Sequence, residues 1–373
     1  MKNIAKKYEK KKEFMEREFY SLRSLLGHSW ALFYLMLGGR EAGKSYACTE
    51  FFVRQWKTKG RPFYWLRLTD KSQQKLLQNN AEKLIDPDIR RKYNLDLFVN
   101  GDGVYEVIKR AESDEKGKQG KIIEKRLMAR VLALSTFYND KGSGLFDKDF
   151  LNDPNMYYNI ALDEMNREKN EKRSFDIVYA FANQLENLVR STKTRVRVIC
   201  IGNTLEEASD ILCSFNFIPE KFGRYKLRSK RCIIDYIEPT DAYKKRRSGS
   251  VADILMGDHS TFTNEITVDR TLVSKKRLIK PSLIIKFTQN KDEWFTLWDN
   301  NVIARYNGEI RKTKGDVEIK SNIVPMRPYI DESFTTERRD AIILLFDSRS
   351  FLYHNLITFK LFQKNLELLK PRK

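Results

Sequence analysis

The sequence predicts an α/β fold in which helices flank a mainly parallel sheet, with a smaller α+β domain after it. Four short apolar runs precede residue 205, and helical patterns occur between them. These runs lie at residues 31–37, 63–68, 157–162 and 196–201. Continuous apolar runs of this length are typical of parallel strands that are buried on both faces. Because glycine or polar residues follow the runs, we expect a ligand site at the carboxyl edge of the sheet.

The sequence pattern divides the chain into three parts. Residues 1–205 form the predicted sheet domain, and its charged start, residues 2–26, has the apolar spacing of an amphipathic helix. That helix packs on its own domain or serves as a separate DNA-binding arm. Residues 206–250 predict a basic linker region, and residues 251–373 predict the smaller domain. The supporting patterns are basic clusters at 224–231 and 244–247, strands at 283–287, 294–298 and 301–306, and helices at 337–346 and 355–369.

The composition is that of a basic globular protein. Its 70 Lys and Arg residues outnumber 50 Asp and Glu residues, which leaves a formal net charge of +20. This surplus favours nucleic acid as a partner, with a basic surface that only aids solubility as the alternative. The four cysteines form no CxxC pair, so they predict reduced core residues and not a zinc site. No run approaches the roughly 18 apolar residues of a membrane span, so we expect a cytoplasmic protein.

A phosphate-binding pattern follows the first apolar run. It reads Gly38-Gly39-Arg40-Glu41-Ala42-Gly43-Lys44-Ser45, with Tyr46 opening a helical pattern behind it. This fits G-x-x-x-x-G-K-[ST], the P-loop, in which the lysine reaches the β- and γ-phosphates and the Ser45 hydroxyl ligates Mg²⁺. A glycine turn that only joins strand and helix is the alternative, and it leaves Lys44 and Ser45 unexplained. The loop therefore predicts ATP and Mg²⁺ as ligands.

Three further residues complete the predicted site for hydrolysis. Asp163 ends the third apolar run and is placed to hold the metal, and Glu164 is placed to polarise the attacking water. Two acidic residues are common after a strand, so this pair alone is weak evidence for a metal site. Its occurrence together with the P-loop makes the evidence strong. Asn203 follows the fourth run and is interpreted as a sensor of the γ-phosphate, with an ordinary turn residue as the alternative.

Four basic residues are candidates for a cation that acts on the nucleotide of a neighbouring subunit. Arg190 follows the predicted helix of residues 175–189, and Arg195 and Arg197 compete with it for this role. Lys141 lies in a glycine-rich stretch and is a candidate either for this role or for gripping DNA. The alternative for each arginine is a solvated helix end or a phosphate contact.

Taken in order, these motifs resemble the DNA-encapsidation ATPases of small phi29-like tailed bacteriophages, which are additional-strand (ASCE) P-loop ATPases related to large terminases. The motifs are GGREAGKSYA at 38–47, FYWLR at 63–67, LDEMNREK at 162–169 and VR at 189–190 through RVICIGN at 197–203. The resemblance covers most of residues 28–205 and is fainter beyond them. It implies a homomeric, pentameric ring that binds the portal of the prohead and uses ATP to drive double-stranded viral DNA into the capsid.

The same resemblance implies an RNase H-like C-terminal domain that is related to the terminase nuclease but lacks its activity. It also implies contact with the portal and, in some members, with a packaging RNA. The protein would work in the host cytoplasm while transiently attached to the prohead. Two other functions stay open: another ring-forming nucleic-acid ATPase of the helicase kind, and a nucleic-acid-binding scaffold that binds nucleotide without hydrolysis. The sequence holds no recognisable helicase motif set, and Glu164 argues against the scaffold.

Overall fold

The computed structural model describes residues 15–112, 120–140, 157–166, 175–189, 195–203, 209–256, 272–274, 278, 281–287, 294–298, 301–306, 323–326 and 337–369. The chain divides into two compact units. The first consists of Met1–Ile211 and Pro219–Ile266, and the second of Leu212–Ile218 and Thr267–Lys373. No helix in the described ranges is long and apolar enough to span a membrane.

A nine-stranded sheet forms the centre of the first unit, in the order β3-β4-β5-β2-β6-β7-β1-β9-β8. The six strands from β5 to β9 in this order are parallel to one another, and β3, β4 and β8 are antiparallel additions at the two sides. The strands are β1 Phe33–Gly38, β2 Phe63–Arg67, β3 Leu97–Asn100, β4 Gly103–Arg110, β5 Ile122–Ala133, β6 Tyr157–Asp163, β7 Arg195–Asn203, β8 Gly223–Leu227 and β9 Cys232–Tyr236. The prediction of a mainly parallel sheet is confirmed.

Helices pack on this sheet through aromatic side chains. Gly43 and Gly60 flank the helix Lys44–Lys59, and both have a left-handed backbone conformation. Its Phe52 ring lies 5.1 Å from Phe63 and 6.3 Å from Trp65 of β2, centroid to centroid. Such pairs add to the burial of apolar area, so this helix is fixed against the sheet. The other helices of this unit are Arg23–Leu26, Asp70–Ala81, Pro87–Tyr93, Ile177–Val189, Asp241–Arg247 and Val251–Met256, and the helix Asp210–Ser214 lies at the unit boundary.

The structure places the end of the first unit later than the sequence predicts. Residues 206–250 were expected to form a basic linker, yet β8 and β9 belong to the sheet and β9 pairs with β1 over five residues. The whole of β9 is buried. Basic residues flank this short apolar segment, and they dominate the composition of the region. The strand is stabilised by a partner nearly 200 residues earlier in the chain, which local composition does not reveal.

The prediction of one helix over residues 2–26 is wrong where the structure describes the chain. Residues 17–22 are not helical, and a short helix, Arg23–Leu26, follows them. The Tyr20 amide donates to the Ala42 carbonyl at 2.9 Å, so this segment bonds to the P-loop and not to its own preceding turn. Apolar spacing cannot distinguish these two arrangements. Residues 2–14 lie outside the described residues.

The second unit contains a five-stranded sheet in the order β13-β10-β11-β12-β14. Phe287, Phe295 and Phe362 pack edge-to-face in its core, with centroids 5.1–5.7 Å apart. These rings join the sheet to the last helix, and the α+β prediction is confirmed. The elements are β10 Pro281–Phe287, β11 Trp294–Trp298, β12 Val302–Tyr306, β13 Ile323–Met326, helix Glu337–Asp347, β14 Leu352–Tyr353 and helix Leu356–Leu369.

Candidate nucleotide-binding site

Four neighbouring strands end together at the carboxyl edge of the large sheet. Gly38 ends β1 opposite Asn203, which ends β7, while Asp163 ends β6 and Arg67 ends β2. Arg67, Asp163 and Asn203 line a cleft of about 630 Å³ together with P-loop residues 40–45, Tyr46 and Glu164. This volume lies within the range of small-molecule sites. The structure thus brings the predicted P-loop, the acid pair and Asn203 together.

The side chain of Lys44 folds back onto the main chain of the P-loop. Gly43 has φ +80°, a conformation that suits glycine, and it turns the chain into the helix. The buried Lys44 Nζ donates to the carbonyls of Gly38 at 2.8 Å and Gly39 at 2.6 Å and lies 3.4 Å from Asn203 Oδ1. Burial lowers the pKa of Lys44 to about 8, and Asp163 opposes this shift. The ammonium group is therefore placed where a phosphate would meet both it and the loop amides.

Ser45 and Asp163 form the oxygen pair that was predicted to hold a metal. The Ser45 hydroxyl donates to Asp163 Oδ1 at 3.1 Å. Burial raises the pKa of Asp163, while the nearby Arg67 guanidinium acts in the opposite direction. A hydroxyl and a carboxylate are hard oxygen ligands of the kind that Mg²⁺ binds together with substrate phosphates. The residues present fit a magnesium nucleotide.

Glu164 is held in an unusual conformation beside this pair. Its φ is +56°, and its main-chain N–H donates to Asp163 Oδ1 at 3.1 Å. The Glu164 carboxylate is 57% exposed and forms an ion pair with Arg67, whose Nη2 also lies 3.7 Å from Asp163 Oδ2. A positive φ at a residue other than glycine costs about 1 kcal/mol. Glu164 lines the cleft in spite of this cost.

Sequence reasoning missed Arg67. Arg67 ends an apolar strand, as Asp163 and Asn203 do, so its position at the carboxyl edge was predictable. It was not considered because a basic side chain does not bind a metal ion. In the structure it is the buried cation between the two acids. Arg67 thus lies beside both carboxylates of the acid pair.

Asn203 is fixed from two sides. Its side-chain oxygen faces Lys44, and its main-chain oxygen accepts from Asn166 Nδ2 at 2.7 Å. A Cβ on the preceding Gly202 would lie 2.8 Å from the Met165 methyl group, so a larger residue there would require Met165 to move. These contacts place the Asn203 amide where it could sense a γ-phosphate held by Lys44.

The outer side of the P-loop is held by the helix Asp241–Arg247. The Tyr243 hydroxyl and Arg247 Nη1 donate to the Arg40 carbonyl at 2.8 and 2.9 Å, and Arg246 Nη2 donates to the Glu41 carbonyl at 2.6 Å. Glu41 itself has φ +62°. Bonds that pull the carbonyls outward favour amides that point into the loop. The basic cluster at 244–247 therefore contacts the P-loop, a role that its interpretation as a linker did not include.

We expect Tyr243→Phe to weaken ATP binding by about 3- to 10-fold, because it removes one hydrogen bond to the Arg40 carbonyl, worth about 1 kcal/mol. Equilibrium titration with a fluorescent ATP analogue measures this. The matched control is Tyr225→Phe, whose hydroxyl donates to the Lys221 carbonyl on an exposed part of the unit. ATP affinity equal to that of the wild type would contradict a role for Tyr243 in the loop.

The remaining candidates lie elsewhere. Tyr46 lines the cleft and is 43% exposed. Arg195 begins β7, so it lies at the opposite edge of the sheet from Asn203, and Arg197 is two residues further along. Lys141 and Arg190 lie outside the described residues.

Two solved structures share this architecture. The Phi-28 gp11 DNA packaging motor aligns with a TM-score of 0.61 over 95% of this chain and 99% of that one, at 16% identity. The bacteriophage Phi-29 viral genome packaging motor assembly aligns with a TM-score of 0.56 over 94% and 100%, at 20% identity. This chain has the fold of phage DNA-packaging motor proteins. No protein-family model and no curated protein sequence matches it.

Proposed function

We propose that this protein is an ATP-driven motor that translocates double-stranded viral DNA into the prohead through the portal. The convergence of Lys44, Ser45, Asp163 and Glu164 in one cleft carries this proposal. The shared fold with two packaging motors supplies the link from ATP to DNA. The proposal also agrees with the net charge of +20, which favours a polyanionic cargo.

The proposal assigns a task in ATP hydrolysis to the P-loop, Ser45, the acid pair and Asn203. The P-loop amides and Lys44 would bind the β- and γ-phosphates, and Ser45 and Asp163 would hold Mg²⁺, whose positive charge would neutralise the phosphate oxygens. Glu164 orients and polarises the attacking water. Asn203, which faces Lys44, contacts the γ-phosphate and responds to its departure.

The motor acts as a homomeric, pentameric ring with cations supplied between subunits, and Arg190 and Lys141 are the proposed cations. Arg190 directly follows the helix Ile177–Val189, and Lys141 directly follows the 3₁₀ segment Leu134–Asp140. These two elements are bonded to each other, since Gln184 Nε2 donates to Asp140 Oδ2 at 2.7 Å.

The second unit is proposed to be a vestigial, RNase H-like nuclease domain that contacts the portal and, where one is used, a packaging RNA. A metal-dependent nuclease needs clustered carboxylates. The five described strands β10–β14 contain no Asp or Glu. DNA cleavage by the purified protein with Mg²⁺ or Mn²⁺ would contradict this part of the proposal. The protein would act in the host cytoplasm, transiently attached to the prohead.

We expect Lys44→Ala to abolish both ATP hydrolysis and DNA packaging, because the phosphates lose their main cation. DNA protected from nuclease inside purified proheads measures packaging, and phosphate release measures turnover. Lys92→Ala is the matched control, since Lys92 pairs with Glu50 on the surface. ATP turnover with DNA and Mg²⁺ that is equal in the Lys44→Ala variant and the wild type would refute the proposed motor.

Mixed rings test the coupling between subunits in the same assay. Packaging should fall more steeply than the wild-type fraction when Lys44→Ala or Arg190→Ala subunits are mixed in. A strictly proportional fall with Arg190→Ala would exclude a role for Arg190 in a neighbouring site.

A further inference from the structure

Basic side chains collect at the amino edge of the large sheet, opposite the nucleotide cleft. The parallel register sets the start of β7 beside the start of β6, and Phe33 of β1 lies level with Cys232 of β9. The hairpin turn between β8 and β9 reaches the same edge, because the Arg231 carbonyl accepts from the amides of Leu32 and Phe33. We call the following exposed residues the amino-edge cluster: Arg195, Lys226, Arg228, Lys230 and Arg231.

At one end of the amino-edge cluster, Tyr157 contacts Arg195 and two further arginines that are not members of the cluster. Arg195 Nη1 donates to the Tyr157 hydroxyl at 3.1 Å, and the guanidinium of Arg197 lies 4.4 Å from the centre of the Tyr157 ring. Arg61 approaches the same ring at 5.2 Å. Three guanidinium groups thus surround one phenol, which concentrates positive charge there.

The positive charge continues past the buried Tyr34 and the half-buried Trp30. Burial raises the pKa of Tyr34, and the charges of Arg197 and Arg231 both oppose that shift, so Tyr34 lies within electrostatic reach of each. Arg228 lies 4.2 Å over the Trp30 ring. The pKa of His28 is lowered by burial and then by Lys226, Arg224 and Arg228. The positive potential therefore extends from β6 to the β8–β9 turn.

The cluster is not neutralised by the part of the chain that the structure describes. None of its five members forms an ion pair with a described carboxylate. Several basic residues elsewhere in this unit are paired. The pairs are Arg91–Asp88, Lys92–Glu50, Arg110–Asp96, Arg130–Asp102 and Arg224–Asp235. Like charges held together without counter-charges repel one another, and an external polyanion removes that cost.

We propose that the amino-edge cluster binds the sugar-phosphate backbone of nucleic acid at a site separate from the nucleotide cleft. Arginine and lysine on a broad surface suit phosphates, and the half-buried Trp30 and Tyr157 are covered by guanidinium groups, so backbone contact is favoured over base stacking. The six residues of β1 separate the two edges by about 20 Å. The two sites share no residue, so binding at the cluster is measured without ATP. The test of this site and the test of the motor can therefore fail independently of each other.

The test variant is Lys226→Gln/Arg228→Gln/Lys230→Gln, which removes three exposed charges. The matched control is Lys71→Gln/Lys75→Gln/Lys92→Gln, which removes three exposed charges elsewhere on the same unit. Fluorescence anisotropy without nucleotide measures the affinity for a labelled 30-base-pair DNA duplex and for a labelled RNA hairpin at several salt concentrations. Lys44→Ala is included and should bind both as the wild type does.

We expect the test variant to lose about 10-fold or more in affinity and to lower the salt slope by about 2 to 3, since each phosphate contact contributes about 0.9 on duplex DNA. The control should change affinity by less than about 2-fold. Loss with the DNA duplex, with the RNA hairpin, or with both supports the site and identifies which nucleic acid it takes. Unchanged binding of both, or an equal loss in the control, would overturn it.

Discussion

Glu164→Gln is expected to lower ATP turnover by about 10²- to 10⁴-fold while ATP affinity stays within about 2-fold of the wild type. The amide has nearly the same shape but accepts no proton and polarises water weakly. Asp163 and Ser45 keep their hydrogen bond, so the proposed Mg²⁺ ligands are unchanged. The variant should therefore bind ATP and fail at the chemical step.

Single-turnover phosphate release and titration with a labelled ATP analogue separate these two effects. The matched control is Glu82→Gln, because Glu82 is an exposed acid that lines the same cleft but lies outside the acid pair. Turnover near the wild-type rate in Glu164→Gln would mean that another group activates the water. Loss of binding together with turnover would mean that Glu164 has a structural role.

The site residues that sequence analysis found share a local signal. Asp163 and Asn203 each follow an apolar run, and the P-loop is a continuous motif. Strands β1, β6 and β7 were recognised from their own apolar runs, and the carboxyl end of such a strand is where ligands bind in this class of sheet. The helices Lys44–Lys59 and Ile177–Val189 were found for the same reason, since their periodicity is visible within one segment.

The residues that sequence analysis missed depend on distant neighbours. Tyr243 and Arg247 contact the P-loop carbonyls some 200 residues away, and Arg67 becomes important because β2 pairs with β6. The contacts of Tyr243 and Arg247 have no local pattern, and the position of Arg67 at a strand end does not by itself show which acids it contacts. The boundary of the first unit was misplaced for the same reason, because β9 is identified only by its pairing with β1. The residues that are proposed to bind the nucleotide can therefore be predicted from local sequence patterns. The residues that contact them from other elements depend on non-local pairing and cannot.

Arg67→Ala is expected to lower the unfolding temperature of the nucleotide-free protein by about 5–10 °C, from a loss of about 3 kcal/mol. Arg67 is buried, and it is the cation beside the buried Asp163 and next to Glu164. Without it, the folded protein must hold two neighbouring carboxylates with no guanidinium between them. Arg91→Ala is the control, because the exposed Arg91–Asp88 pair is worth no more than about 1 kcal/mol.

Mg²⁺ and ATP should reverse part of this loss. A metal ion at Ser45 and Asp163 returns positive charge to the side of Asp163 that Arg67 has left. The rise in unfolding temperature on addition of Mg²⁺ and ATP should therefore be larger for Arg67→Ala than for the wild type. Thermal unfolding with and without both ligands measures the difference. Equal rises in the two proteins would show that Arg67 and the metal do not act on the same carboxylate.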